Sequence, residues 1–405
     1  MRTDPTIFSL AVVVTVFFWR GGQAGSPAWE SAFKPQPPHP VERLDVDEAG
    51  YAVRDNVTHD VIVRRYMSIL PGNSPAPENP WPDRTIRYCF EDELAKSRMQ
   101  DILDEAIRLW QDAGLLDSVY TYDEVTGPGA GCTGHPQRAQ TLVIRYNNQG
   151  RLRSTIGLPA ADGLNPDLTG PYMDVTDDPN VGMLSPTASI AHELGHVWGL
   201  YHEHQNRFYW VDGPYRGEIP EGNDAFGDGL AVFNCAALSD YAAVMQRIDV
   251  AYPGQANEGV RKKVKEDVCQ DINMASLWNF DGARSWLPRT EMNIHMEELA
   301  YSKVDWSSIM LYPSGNGGLG NAAPPPQGQP QGVNDHRQAV LLKADGQRIE
   351  HNLAPSERDV LGIRKLYGDE QFPQGVPTLP NDKKHKFYAK LGKLFGRGNK
   401  KSGQC

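Results

Sequence analysis

The sequence predicts an α+β fold, and three patterns in its first half predict it. Two strand-like segments occur, Thr85–Phe90 and Thr141–Tyr146. Between them, apolar residues recur at helical spacing over 97–114. A further helix, beginning near Pro186, carries two histidines one turn apart. Strands and a long helix ahead of that helix fit an α/β or an α+β domain, and we expect α+β.

The composition is that of a folded protein rather than a fibrous or disordered one. The chain has 405 residues, of which 40% are hydrophobic and 22% charged, and a chain of this length can bury a substantial core. Its 31 prolines and 39 glycines indicate many loops. A formal net charge of -11 argues against nucleic acid as the main partner.

The N-terminus has the pattern of a secretory signal peptide. A basic start is followed by an apolar run over Ile7–Trp19 and by small residues such as Gly21 and Ala24. The run is shorter than the roughly 20 residues that span a bilayer; an uncleaved anchor or a buried segment is the alternative. We therefore expect a signal peptide over 1–24 and a secreted protein.

The rest of the chain divides into three predicted segments. Residues 25–78 are rich in proline and charge and have no sustained period, which predicts the pro-segment and linker of a zymogen. A folded domain is expected over 79–368. Within it, the stretch 213–292 has no motif that indicates chemistry, and we interpret it as a structural insertion. A linker and a basic C-terminal tail are expected over 369–405.

Five cysteines in a secreted chain predict disulfide bonds. None has the Cys-x-x-Cys spacing of a thiolate zinc site. Four cysteines allow three connectivities, and from these we choose Cys89–Cys132 and Cys235–Cys269. This leaves Cys405 free, capped or paired with another molecule.

The central motif is a histidine pair on one helix. Ser185 and Pro186 form a good helix start, with serine as the cap and proline at the first helical position. On that helix His192 and His196 lie on the same face, so two imidazoles can bind one cation. An ordinary surface helix can carry two histidines at this spacing by chance. The short motif alone does not exclude that alternative.

The residues after the helix extend the motif to a third ligand. Gly199 lets the helix end and the chain turn, which brings His202 towards the same metal. Three neutral imidazoles suit Zn²⁺ and leave one position open for water. Zinc lowers the pKa of bound water towards about 7, and Glu193 can take the proton of this water as general base. If the histidine pair were a chance feature of a surface helix, the glycine turn and the third histidine would not be expected to follow it.

A second stretch, Asp305–Pro313, is a short apolar turn that contains Met310 and Tyr312. Taken alone, both residues are more often part of a core. Beside a zinc motif, the methionine can form an apolar floor under the metal and the tyrosine hydroxyl can donate to an oxyanion.

These residues resemble the metzincin peptidases, and specifically the astacin family. The extended zinc motif and the Met-turn define metzincins, and Glu203 and Ser308–Tyr312 are similar to the astacin branch. Trp81–Tyr88 resembles the family's first strand, and Leu353–Gly368 resembles its closing helix. Secreted fungal relatives would look like this chain.

The resemblance implies a metzincin-like zincin fold, with two sub-domains flanking an active-site cleft and the zinc helix between them. It implies one Zn²⁺ per chain, with three ligands: His192, His196 and His202. The implied activity is hydrolysis of internal peptide bonds of proteins, with Glu193 as general base. Tyr312 would be an additional ligand that swings aside to stabilise the tetrahedral intermediate. Glu203 would be buried and paired with the new N-terminus after removal of the pro-segment.

Two features depart from the family pattern. The run His204–Trp210 lacks the acidic residues usual at this place, and residues 25–78 lack the Phe-x-Gly-Asp motif whose aspartate blocks zinc in related zymogens. The departures leave substrate preference and latency open and do not affect the metal ligands.

The basic tail allows a different function. From Lys383 onward the chain carries lysine and arginine without any acidic residue, and apolar residues such as Phe387 and Leu391 fall on one helical face. Such a helix can lie on an anionic membrane or cell-wall surface, whereas the alternative is a solvated tail. Two other functions remain open: a surface-targeting protein with a vestigial zinc site, and a zinc hydrolase that acts on something other than peptides.

Overall fold

The computed structural model describes most of the predicted domain. The described residues are 67–69, 78–125, 132, 135, 137–159, 170–206, 209–210, 226, 233–289, 294–296, 304–320, 335–343 and 345–368. The predicted signal peptide, most of the predicted pro-segment, Cys405 and the basic tail lie outside them. Within the described part of the chain, no helix is long and apolar enough to cross a membrane.

Nine strands and seven helices are described. The strands are β1 Met67–Ile69, β2 Glu78–Asn79, β3 Thr85–Phe90, β4 Thr121–Glu124, β5 Leu142–Tyr146, β6 Arg153–Ser154, β7 Leu158–Pro159, β8 Tyr172–Val175 and β9 Ile294–Met296. The helices are α1 Glu93–Asp112, α2 Pro186–Val197, α3 Tyr241–Ala251, α4 Glu258–Asp267, α5 Ile272–Leu277, α6 Asp281–Trp286 and α7 Glu357–Leu366. Short 3₁₀ turns connect them, including Glu203–Gln205.

A five-stranded mixed sheet forms the N-terminal half, with the order β4-β3-β5-β8-β6. Strands β4, β3, β5 and β8 are parallel to one another, whereas β6 pairs antiparallel with β8 at the sheet edge. Strand β3 has its predicted bounds, and β5 starts one residue later than predicted. One mixed sheet with several helices confirms the predicted α+β class.

Helix α1 begins four residues before the predicted position because Asp92 caps it. The Asp92 side chain accepts a hydrogen bond from the Ala95 amide at 2.7 Å. The helix packs against α2, and the Trp110 indole, fully buried, donates to the Ala191 carbonyl of α2 at 2.8 Å. Trp81 donates to the Val197 carbonyl at the other end of α2 at 2.7 Å. The two tryptophans therefore tie the histidine helix to α1 and to the segment before β3.

Both predicted disulfide bonds are confirmed. Cys89 is bonded to Cys132, which ties β3 to the chain after β4. Cys235 is bonded to Cys269, which closes the loop that contains α3 and α4.

The described part of the stretch predicted as an insertion contains four α-helices, α3 to α6. Its buried residues Phe280, Trp286 and Leu287 belong to the same hydrophobic cluster as Trp110 and Leu194 of the two central helices. The described part of this stretch is therefore continuous with the main core.

Strand β1 packs beside the turn that follows α2, although it lies in the segment predicted as pro-segment and linker. Its residues are buried, and Ser68 forms a bridge with Leu200. The Ile69 amide donates to the Gly199 carbonyl at 2.9 Å, and the Tyr201 amide donates to the Met67 carbonyl at 2.8 Å. These three residues are part of the folded unit, while the domain boundary at residue 78 stays a prediction.

Candidate metal centre

Helix α2 begins and ends at residues suited to those positions. The Ser185 hydroxyl caps it by accepting from the Ala188 amide at 3.4 Å, and proline occupies the first turn. At the other end Gly199 has a φ of 107°, in the region that favours glycine. The Gly199 amide donates to the His196 carbonyl at 2.7 Å, and the Leu200 amide donates to the Gly195 carbonyl at 2.9 Å. This pair of bonds is a Schellman motif, which reverses the chain towards His202.

Three buried imidazoles meet at one point. Nε2 of His196 lies 3.1 Å from Nε2 of His192 and 2.9 Å from Nε2 of His202. All three side chains are at most 1% exposed. In a tetrahedral zinc site with Zn–N bonds of about 2.0–2.1 Å, ligand nitrogens are about 3.3 Å apart. The donor set and its spacing therefore fit one Zn²⁺ ion.

The outer nitrogens of the two helix-borne imidazoles face carbonyl oxygens. Nδ1 of His192 lies 2.7 Å from the Ile309 carbonyl oxygen, and Nδ1 of His196 lies 2.7 Å from that of Leu200. Because a carbonyl oxygen only accepts, each Nδ1 carries a hydrogen and donates it. The Nε2 lone pairs are then left for a metal, which is the usual arrangement around metal-binding histidines.

Burial keeps these imidazoles neutral. It lowers the pKa of His196 to about 3. Burial, followed by the charge of the neighbouring His196, also lowers the pKa values of His192 and His202 well below the ordinary value. A neutral imidazole is the form that binds a metal ion, so the ligands need not lose protons at neutral pH.

Glu193 is fully buried on the same helix, and its carboxylate is held from the edge strand of the sheet. The Ser154 hydroxyl of β6 donates to Oε2 of Glu193 at 2.5 Å. Ser154 is itself fully buried. This serine was not predicted, because a two-residue strand 39 positions before its partner has no recognisable sequence pattern.

The structure brings Met310 and Tyr312 to the centre. Met310 is 2% exposed, and its sulfur contacts Gly195 so closely that no Cβ fits at that position of α2. The ring centre of Tyr312 lies 4.2 Å from that of His202 and 5.6 Å from that of His192. The methionine therefore lies under the histidine helix, and the tyrosine lies beside two of the imidazoles.

The buried side chain of Glu203 lies near two other buried acids, Asp305 and Asp359. Its Oε1 accepts from the Asp305 amide at 3.1 Å. Burial, followed by the charge of Asp305, raises the pKa of Glu203 to about 8. Asp359 lies in the same group, and burial raises its pKa to about 6. The pairing of Glu203 with a new N-terminus stays a prediction.

Two buried polar side chains, His204 and Gln205, follow Glu203. Nε2 of His204 donates to the Ser285 carbonyl at 2.9 Å. The His204 ring lies 4.6 Å from that of Tyr312, centre to centre. Gln205 contacts both His202 and the end of α6. Neither side chain was predicted to have a role.

Comparison with known proteins finds structural similarities that are too weak to carry a conclusion about this chain. No family model matches the sequence, and no curated protein matches it. The solved structure of high choriolytic enzyme 1, a hatching enzyme zinc-protease from Oryzias latipes, is similar with a TM-score of 0.34 and 13% identity, over 74% of this chain and 98% of that chain. Metalloproteinase-II from Bacteroides fragilis is similar with a TM-score of 0.19 and 15% identity, over 32% of this chain and 49% of that chain. Similarities this low do not assign a family to this chain.

Proposed function

We propose that this chain is a secreted zinc metalloendopeptidase that hydrolyses internal peptide bonds of proteins. The observation that carries the proposal is the group of three buried imidazoles whose ligand atoms all lie within 4.8 Å of one another. The zinc ligands are His192, His196 and His202. The astacin resemblance of the sequence supports peptides as the substrate, together with two sub-domains that flank a cleft.

The reaction needs a proton carrier beside the metal, and Glu193 is that group. Bound zinc supplies a Lewis acid and a water of lowered pKa. The Glu193 carboxylate takes the proton of this water and later donates it to the nitrogen of the leaving amine. The Ser154 hydroxyl donates to Oε2 of this carboxylate and so restricts its orientation.

Tyr312 and Met310 serve the same reaction in different ways. The Tyr312 hydroxyl donates to the oxyanion that forms when the peptide carbonyl is attacked. Its ring lies tilted against those of His202 and His204, so its direction is restricted. Met310 supports the helix that carries the first two ligands. Gly199 permits the turn to the third ligand. Glu203, which directly follows that ligand in the sequence, is a structural residue.

The remaining segments are assigned from their sequence patterns. We propose that residues 1–24 direct secretion, that 25–78 hold a pro-segment, and that 79–368 form the peptidase domain. The two disulfide bonds support an oxidising compartment. The basic tail is proposed to contact an anionic membrane or cell-wall surface.

The experiment is hydrolysis of an unfolded protein by the purified secreted chain, after limited proteolysis to remove a pro-segment. We expect cleavage that a zinc chelator stops and added zinc restores. Glu193→Gln should lower kcat/KM by about 10²–10⁴ while zinc content is unchanged. The matched control is Glu105→Gln on the exposed face of α1, where the side chain is 51% exposed. Chelator-resistant cleavage, or full activity of Glu193→Gln, would refute the proposal.

A further inference from the structure

One histidine of the metal centre is oriented by a side chain. Nδ1 of His202 lies 3.0 Å from Oε1 of Gln205. The corresponding atoms of His192 and His196 face backbone carbonyls. Every residue supplies a backbone carbonyl, but only a few side chains supply an acceptor at a given place. The orientation of the third imidazole therefore depends on residue identity at position 205.

The amide of Gln205 has one orientation that satisfies its neighbours. Its Nε2 donates to the carbonyl oxygens of Arg284 at 3.0 Å and Leu287 at 3.2 Å. Its Oε1 accepts from Nε of Arg289 at 3.2 Å. A flipped amide would put oxygen against two carbonyls and nitrogen against a guanidinium. Oε1 therefore faces His202, whose Nδ1 must be the donor.

Arg289 holds this amide at a second point. Its backbone amide donates to the Gln205 carbonyl at 2.9 Å. Its guanidinium carbon lies 4.7 Å from the ring centre of Tyr201, one residue before the histidine. Gln205 is 1% exposed and Arg289 is 2% exposed. Because both are buried and bonded at several atoms, water does not compete for these bonds.

We infer that Gln205 is a positioning residue for the third zinc ligand, and that Arg289 holds Gln205 in the orientation this requires. The inference rests on the proposed zinc site. With Nδ1–H bonded to the amide oxygen, Nε2 of His202 keeps its lone pair directed at the point shared with the other imidazoles. The end of the stretch interpreted as an insertion thereby contributes to metal binding.

The test is the zinc affinity of the full chain, measured by competition with a chromogenic chelator, together with the absorption spectrum of the Co²⁺-loaded form. Gln205→Leu removes both acceptor and donors, whereas Gln205→Glu keeps the acceptor and loses the donors. Thermal unfolding of the metal-free variants measures packing separately. Gln149→Leu, at an exposed position on a turn, is the matched control.

We expect Gln205→Leu to weaken zinc affinity roughly 10–100-fold and to shift the Co²⁺ bands. Gln205→Glu should retain most of the affinity although its metal-free form unfolds at a lower temperature. Gln149→Leu should match the wild type. Arg289→Lys, which keeps the charge but cannot make the same bonds, should weaken the affinity less than Gln205→Leu.

Unchanged affinity and spectrum in Gln205→Leu would overturn the inference. Equal losses in the leucine and glutamate variants, in proportion to their lost thermal stability, would also overturn it, since they would assign Gln205 to packing alone. If Gln205→Leu does not fold, unchanged affinity in Arg289→Lys contradicts the role of the arginine. A wild-type chain that binds no zinc would refute the zinc site itself, which is a separate failure.

Discussion

The helix-borne and loop-borne halves of the metal centre are held by different interactions. His192 and His196 lie one turn apart on a capped helix, and their outer nitrogens donate to backbone carbonyls. His202 follows a chain reversal, and its outer nitrogen donates to Gln205, which α6 and Arg289 hold. The first half is therefore tolerant of side-chain changes around it, whereas the second half is not. Substitutions near α2 should reduce stability alone, whereas substitutions near the turn should reduce both stability and zinc affinity.

The largest stability effect is expected at a buried ion cluster that contacts the segment preceding α2. Asp335 accepts from Nε of Arg337 at 2.8 Å and lies 3.4 Å from Nε2 of His351. Arg337 also donates to the Gly182 carbonyl at 3.2 Å, close to the start of the helix. Asp335→Asn should lower the free energy of unfolding by about 3–5 kcal/mol, because it leaves a buried cation without its partner. Zinc affinity of the folded variant should be unchanged.

The pH dependence of that effect has a definite sign. Burial opposes ionisation of Asp335, but the hydrogen bonds from His351 and Arg337 prevail and hold its pKa well below the ordinary value. The stabilisation is therefore present above the unfolded-state pKa of 3.8 and is lost as the pH falls through the folded-state pKa. Urea unfolding should show a difference between wild type and Asp335→Asn that is largest at neutral pH and shrinks below 3.8. A constant difference would contradict the assignment.

At the turn after α2 we expect an intermediate effect on unfolding free energy, together with an effect on zinc affinity. Gly199→Ala places a Cβ 2.8 Å from Leu366 and 3.2 Å from Ile69, at a φ of 107°. We expect a loss of about 1–3 kcal/mol in unfolding free energy and a measurable loss of zinc affinity. Gly254→Ala is the control, because its φ is 79° and no heavy atom lies within 4 Å of the added Cβ. That variant should lose stability without losing zinc affinity. Equal zinc affinities in the two variants would show that the turn after α2 has no particular role in metal binding.

The smallest effect is expected at the start of the helix. Ser185→Ala removes the cap and should cost about 1 kcal/mol of unfolding free energy. Since the cap lies about two turns from His192, zinc affinity should match the wild type. Asp271→Ala, which removes the cap of α5, is the control and should show a similar loss. A Ser185→Ala protein with weakened zinc binding would show that the helix-borne half is less independent than we infer.

The same contrast explains what the sequence could predict. Strand β3, helices α1 and α2 and the histidine set follow from local spacing and caps. The cysteine count predicts disulfide bonds but allows three connectivities, so the two pairs were a choice that the structure confirms. Ser154 and Gln205 were not predicted, because their roles depend on partners brought close by the tertiary fold. Strand β1 was not predicted for a similar reason, since three residues acquire their conformation from pairing with β9 and Leu200. Helices α3–α6 lacked a motif that pointed to the metal centre.

The most direct test of the central claim is the zinc content of the purified chain after dialysis against metal-free buffer, measured beside His196→Ala and His202→Ala. Three buried ligands with fixed Nε2 lone pairs predict one zinc per wild-type chain and background zinc in both variants, with the fold retained by circular dichroism. A wild-type chain without zinc, or variants that keep one zinc per chain, would contradict the claim.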